Sequence, residues 1–258
     1  MAIVWSNIPS STFFGWLLRA ILRLIPYGTV VRVRSGINRG MRWVVGSSTH
    51  GCWLGSYEHE KQHALRRVVR LGMTVFDIGA NAGFYTLAFS RLVGKQGHVW
   101  AFEPLAGKVE QLRQHIRLNR ISNVGVIQAA VGDGPGMASL HVEEDGSMGS
   151  VVASGAYKVP LVSLDDLLAD GVVPAPDVIK MDIEGSEAAA LDGARMLLTK
   201  GRPTIFLAMH GEEQRTRCEL LLRAAHYHIY YLDGREHRSG EPLSDDEIYA
   251  LPFTPPTG

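Results

Sequence analysis

The apolar positions of this chain change their period along its length. Over 28–44, Val30, Val31, Val33 and Trp43 fall between turn signals and predict a short hairpin bending near 38–40. A helical spacing follows over 58–71 and stops at Gly72. Short Val/Ile-rich runs then alternate with helical stretches. Strands are predicted over 74–78, 99–102, 124–129, 178–181, 204–209 and 227–232, and helices over 84–92, 108–118, 187–198 and 212–224. The stretch 132–160 is irregular, with short strands expected over 138–142 and 157–161, and Ser163 with Asp166 forms a capping box. Repeated β–α units with strands apolar on both faces predict an α/β fold, a doubly wound, mostly parallel sheet. In such sheets a ligand sits outside the carboxyl ends of the strands, where the order reverses. The organisation expected is a helix and hairpin extension over 1–57, a main domain over 58–244, and a loosely held acidic, then Pro-rich tail over 245–258.

Composition and charge refine this picture in three ways. The chain has 258 residues, 46% hydrophobic and 20% charged, enough for one substantial core and unlike a disordered or fibrous chain. Its formal net charge is zero, yet residues 1–57 hold Arg19, Arg23, Arg32, Arg34, Arg39 and Arg42 with no acidic residue. Such asymmetry points to an anionic partner near the N-terminus: a membrane surface, a phosphorylated acceptor or the rest of the chain. The run over 13–25 is too short and too charged for a membrane span. Either a helix packed on the domain or peripheral membrane contact fits it. The two cysteines, Cys52 and Cys218, have no metal-binding or disulfide spacing and fit a reducing cytoplasm.

The strongest chemical signal is Asp77-Ile78-Gly79-Ala80-Asn81-Ala82-Gly83, where a strand ends, a glycine turn follows and a helix opens. Gly79 and Gly83 permit close approach of backbone, and the new helix offers its N–H groups to a ligand. Contacts from Phe84, Tyr85 and Thr86 in its first turn are expected. A dinucleotide turn would have a second glycine at 81, and Asp77 would repel a phosphate there. An ammonium, by contrast, could donate to that carboxylate. S-adenosylmethionine carries an ammonium and no phosphate. Glu103-Pro104 closes the next strand, where the two oxygens of Glu103 could accept from both ribose hydroxyls. At the third strand's end, Val131 leaves room for a flat base and Asp133 could accept from an exocyclic amine.

Asp182 and Glu184 follow the fourth strand, where either could act as a general base or Asp182 could hold the cofactor's ammonium. His210 ends the fifth strand on the same edge and is a candidate base. Ahead of the fold, Trp53 and Tyr57 are suited to stack on an acceptor and Glu58 to bind its hydroxyls, although core packing suits both aromatics equally. His59 and His63 read as a surface pair, and no metal site is assigned.

These residues resemble the FkbM family of methyltransferases, a branch of the class I methyltransferase fold. The resemblance runs over about 55–211 and rests on Gly55-x-Tyr57-Glu58, VFDIGANAGFYT at 75–86, AFEP at 101–104 and IKMDIEGSE at 179–187. It implies S-adenosylmethionine as cofactor and O-methylation of a small-molecule hydroxyl on a sugar, glycolipid or polyketide. It also implies cofactor contacts from Asp77, Gly79, Asn81 and Glu103, and an active site at Asp182 and Glu184. Members often carry Glu two residues before the fifth-strand His, where this chain has Ala208. Competing readings are a protein or nucleic-acid acceptor and a non-enzymatic membrane-associated nucleoside-binding module. Nucleic acid is disfavoured because no N/D-P-P-Y/F string follows the fourth strand and the chain after 57 is net acidic.

Overall fold

The computed structural model describes residues 22, 24–142, 149–152 and 157–253. The helix expected over 13–25, and membrane contact through it, lie almost wholly outside the described residues. In chain order the elements are β1 (Val30–Arg32), β2 (Arg42–Val44), α1 (His50–Leu54), α2 (His59–Val68), β3 (Thr74–Ile78), α3 (Phe84–Val93), β4 (His98–Phe102), α4 (Ala106–Leu118) and β5 (Val124–Ile127). There follow β6 (Ala130–Val131), β7 (Gly136–Val142), β8 (Gly149–Val152), β9 (Tyr157–Val162), α5 (Leu164–Ala169), β10 (Val178–Met181) and α6 (Glu187–Asp192). A π-helical turn (Leu197–Gly201) leads to β11 (Thr204–Ala208), α7 (Glu212–Ala224), β12 (Tyr227–Tyr231) and β13 (Glu247–Pro252).

Seven strands form one sheet in the order β12-β13-β11-β10-β3-β4-β5. Every pairing is parallel except the two made by β13. This is the expected class I α/β architecture, and its order reverses between β3 and β10. The reason is visible in the strands: β10 is buried at every position, so both faces need cover. Alternate side chains enter opposite cores. Val75, Val99, Val178 and Phe206 pack with Leu87, Phe89 and Trp43. Phe76, Phe102, Ile179 and Leu207 pack with Leu164, Leu191 and Leu222. Burial of each such side chain is worth about 1.5–3 kcal/mol.

The β1–β2 hairpin belongs to this body. Asn38 Nδ2 donates to the Phe84 carbonyl at 2.7 Å, and Trp43 stacks on His115 with ring centroids 4.0 Å apart. His115 Nε2 accepts from Val44 N at 3.0 Å, and Nδ1 donates to the Ala82 carbonyl at 2.8 Å. Burial holds this imidazole neutral, its pKa lowered to about 4.

The tail corrects one expectation. Residues 247–252 are not loosely held: β13 lies between β11 and β12, with Ile248 and Ala250 fully buried. The acidic residues before it and the prolines after it masked the apolar alternation in the sequence. The irregular stretch after β5 holds a second sheet, β6-β9-β7-β8, of which β6 and β8 were not foreseen. Ser163 caps α5 as its box predicts, with Oγ accepting from Asp166 N at 3.1 Å.

Candidate active site

The site grows from the end of β3. Gly79 has φ +78°, and a Cβ there would lie 1.9 Å from the Asp182 carbonyl oxygen. Only glycine lets this turn pass so close to the end of β10. Gly79 N and Ala80 N both donate to the Phe102 carbonyl at 3.0 Å, tying the turn to β4. Asn81 N donates to Glu103 Oε2 at 2.8 Å, and Leu105 N donates to Oε1 at 3.0 Å. Burial raises the pKa of Glu103, opposed by these two amide bonds. Gly83, with φ +93°, packs against Leu112, whose Cδ1 would lie 2.5 Å from a Cβ there. A cavity opens beside the turn, lined by Gly79–Ala82, Phe102–Leu105, Ala129–Val131, Tyr57, Phe84, Tyr85 and Asp182–Glu184. Gly83 does not line it.

Beneath the cavity lies a buried ionic network. Lys180 is the cross-strand partner of Asp77. Its Nζ stands 3.6 Å from Asp77, 3.7 Å from Asp182 and donates to the Gly79 carbonyl at 3.2 Å. Asp77 is fully buried and accepts from Thr86 Oγ1 at 2.6 Å. Burial raises its pKa, and Lys180 and Thr86 oppose that. Lys61 on α2 reaches Glu58 at 2.6 Å, Asp182 at 3.9 Å and Glu247 on β13. Tyr85 joins the two lysines: its hydroxyl donates to Glu58 at 2.7 Å. Both ammonium groups lie within 6 Å of its ring, Lys61 at 5.7 Å and Lys180 at 5.4 Å. For Asp182, burial pulls the pKa up, but Lys180, Lys61 and His210 together hold it below the ordinary value.

At the cavity mouth, His210 follows β11. Its Nδ1 lies 2.9 Å from Glu187 Oε1, and its Nε2 lies 3.3 Å from Glu184 and 3.7 Å from Asp182. The hydrogen bond to Glu187, aided by the fields of Glu184 and Asp182, outweighs burial and raises the His210 pKa to about 9. Glu187 is itself fixed, accepting from Gly185 N at 3.1 Å. Glu184 sits at φ 55°, an uncommon conformation for a side chain of this kind. Asp182, Glu184 and His210 offer ligand atoms all within 4.8 Å of one another. A cation could be held there once the imidazole gave up its proton.

The family description "Methyltransferase FkbM domain" matches residues 77–237, more than half of the chain. This chain belongs to the FkbM methyltransferase family. The crystal structure of methyltransferase FkbM from Methylobacillus flagellatus has the same fold, with a TM-score of 0.50 at 23% identity over 70% of this chain and 43% of that one. Protein-L-isoaspartate O-methyltransferase of Methanothrix thermoacetophila is 35% identical over 66 residues, 26% of this chain and 30% of its own length. Hexuronic acid methyltransferase AglP of Haloferax volcanii is 26% identical over 121 residues, 46% of this chain and 48% of its own length. The chain thus spans less than half the length of each of these proteins.

S-adenosylmethionine is the cofactor of this FkbM-family fold. The charge pattern fits it. Four carboxylates (Asp77, Asp182, Glu58 and Glu247) surround two buried lysines, an environment suited to a sulfonium and an ammonium rather than to phosphate. Of the residues expected from the sequence, Tyr57, Gly79, Asn81, Phe84, Tyr85, Glu103, Pro104, Val131, Asp182 and Glu184 line the cavity. Asp77 and Thr86 lie behind it and bond to each other. Glu58 is engaged by Lys61 and Tyr85. Trp53 and Asp133 do not line the cavity, and Trp53 takes the core place that the sequence equally allowed. Trp53 is a core residue whose Nε1 donates to His50 at 3.2 Å, because α1 turns its indole inward. Asp133 is exposed past the end of β6, away from the cavity lining. Sequence reading missed Lys61, Lys180 and Glu247. Only a lysine inside the otherwise apolar run at 178–181 could have signalled one of them. No helix among the described residues is long and apolar enough to cross a membrane.

Proposed function

We propose that this FkbM-family chain methylates a hydroxyl oxygen of a small molecule such as a sugar, glycolipid or polyketide. The observation that carries this reading is the Asp182–Glu184–His210 cluster at the edge of the cofactor cavity. When bound, S-adenosylmethionine supplies an electrophilic methyl group. Glu103 binds the ribose hydroxyls, Val131 borders the adenine and Asp182 takes the ammonium. Glu184 accepts the acceptor's hydroxyl proton. His210 carries its own proton below about pH 9, so it acts as an imidazolium that positions Glu184 and Asp182 rather than as the base. Tyr57 and Phe84 wall the acceptor side and exclude water from it. Alignment of both reactants in such a site can supply about 7–11 kcal/mol of the barrier.

A sugar acceptor is supported by the likeness to a hexuronic acid methyltransferase. The likeness to isoaspartate methyltransferases, over 26% of this chain in one relative and 42% in another, raises a protein acceptor as the second reading. Cys52 and Cys218 are free and buried, in keeping with a cytoplasmic enzyme. The test is transfer of a labelled methyl from S-adenosylmethionine to a panel of sugars, nucleotide sugars, glycolipids and polypeptides. Glu184→Gln should lower kcat by roughly 10²–10⁴-fold, with S-adenosylhomocysteine affinity kept. Glu103→Ala should weaken that affinity instead. Undiminished turnover in Glu184→Gln would sink the assignment of the base, and labelling of polypeptides alone would sink the small-molecule reading.

A further inference from the structure

A second cleft lies on the outer side of α2, away from the cofactor cavity. Arg34 and Arg39 come from the segment between β1 and β2, His59, His63 and Arg66 from α2, and Arg91 from α3. The α2 residues are spaced four and three apart and so share one helical face. All six side chains are exposed, and no carboxylate among the described residues lines the cleft. Arg91 is anchored in place, with Nη1 donating to the Arg39 carbonyl at 2.8 Å. The floor is rigid, since Gln62 Oε1 accepts from Ile37 N at 2.8 Å and Gln62 Nε2 donates to the Tyr57 carbonyl.

Six arginines elsewhere on the surface are neutralised locally. Arg117, Arg195, Arg215, Arg217, Arg223 and Arg235 each pair with a carboxylate. Among the described residues, Arg34, Arg39, Arg66 and Arg91 form no ion pair with one. Nor can residues 1–21 supply one, because the chain has no acidic residue before Glu58. Among the described residues, these four charges of the cleft are thus not spent on carboxylates of the chain. Like charges gathered without counter-charges destabilise a fold, and guanidinium forks match phosphate oxygens in pairs. The convergence of three segments on a concavity suits a compact, multiply charged anion better than a flat charged surface.

We propose that this cleft binds the phosphate or diphosphate group of a ligand, supplied either by a soluble phosphate ester or by a lipid headgroup. The proposal goes beyond the methyl-transfer reading and does not depend on it. The full chain, saturated with S-adenosylhomocysteine, would be titrated with inorganic pyrophosphate at low salt, alongside an Arg34→Gln/Arg66→Gln double variant. Saturable binding is expected, about tenfold or more weaker in the variant and weaker as salt rises. Unchanged S-adenosylhomocysteine affinity in the variant shows an intact fold and cofactor site. Sedimentation with phosphatidylglycerol vesicles separates the sources. Pelleting that pyrophosphate displaces and the variant loses assigns the lipid headgroup, and pyrophosphate binding without such pelleting assigns a soluble ester. No saturation by pyrophosphate, or equal affinity in both proteins, overturns the proposal.

Discussion

His210 and Asp77 show how position decides the chemistry of a titratable group. Both stand at the carboxyl edge of the sheet. Asp77 is sealed beneath the glycine turn against Lys180 and Thr86, whereas His210 is 36% exposed at the mouth among three carboxylates. The pKa of His210 is raised from 6.5 to about 9, so the folded state holds its proton more tightly than the unfolded chain. Its stabilising contribution is therefore complete below about pH 6.5 and is lost as pH rises through about 9. Solvent screening at this exposure keeps the contribution small. The stability gap between the parent and His210→Asn should narrow across that window, as measured by denaturant midpoints. A proton NMR titration of the His210 ring should show the raised midpoint directly. A midpoint at 6.5 would remove the imidazolium from the site and restore His210 as a base.

At the scale of elements, α2 connects the hairpin to the far side of the sheet. One face of it sends Lys61 inward to Glu58, Asp182 and Glu247, and the opposite face carries the exposed His59, His63 and Arg66. Lys61 is 4% exposed, so its removal takes the shared cation from the half-buried Glu58, Asp182 and Glu247. Lys61→Ala should destabilise the protein by about 1–3 kcal/mol, less than a fully buried pair because solvent screens the partly exposed carboxylates, read as a loss of thermal or denaturant stability, and Glu247→Gln should partly restore it in the double variant. Independent, additive effects would show that the two elements are not coupled through this pair. The expected boundary at 57/58 has no counterpart in packing, because Val33, Trp43 and Trp53 share a core with Leu65 and Leu87.

For the whole molecule, β13 is the element that completes the sheet. Among the described residues it is the sole link between β12 and the rest of the sheet, pairing β11 on one side and β12 on the other. A chain ending at 244 would expose the edge of β11 and uncover Ile229 and Tyr231. Such a truncation should leave little native protein, as judged by near-UV circular dichroism and S-adenosylhomocysteine binding. A folded, cofactor-binding truncation would mean that the six parallel strands suffice.

Local pattern alone determined the class of fold and the position of the site. A strand, a glycine turn and a helix in immediate succession place Asp77 to Gly83, Glu103, Asp182, Glu184 and His210 at one sheet edge whatever the rest of the chain does, because a parallel sheet brings the ends of its strands together. The partners of those residues were beyond local pattern. Lys180 faces Asp77 only because β10 lies beside β3, and Lys61 meets Glu247 only because β13 inserts between β11 and β12. These pairs are about 100 and 190 residues apart in the chain, so no periodicity records them. The same holds for Trp53, whose burial depends on what α1 packs against, and for the charge of His210. Strand register and the low-dielectric interior decide which carboxylates a cation meets and how tightly it keeps its proton.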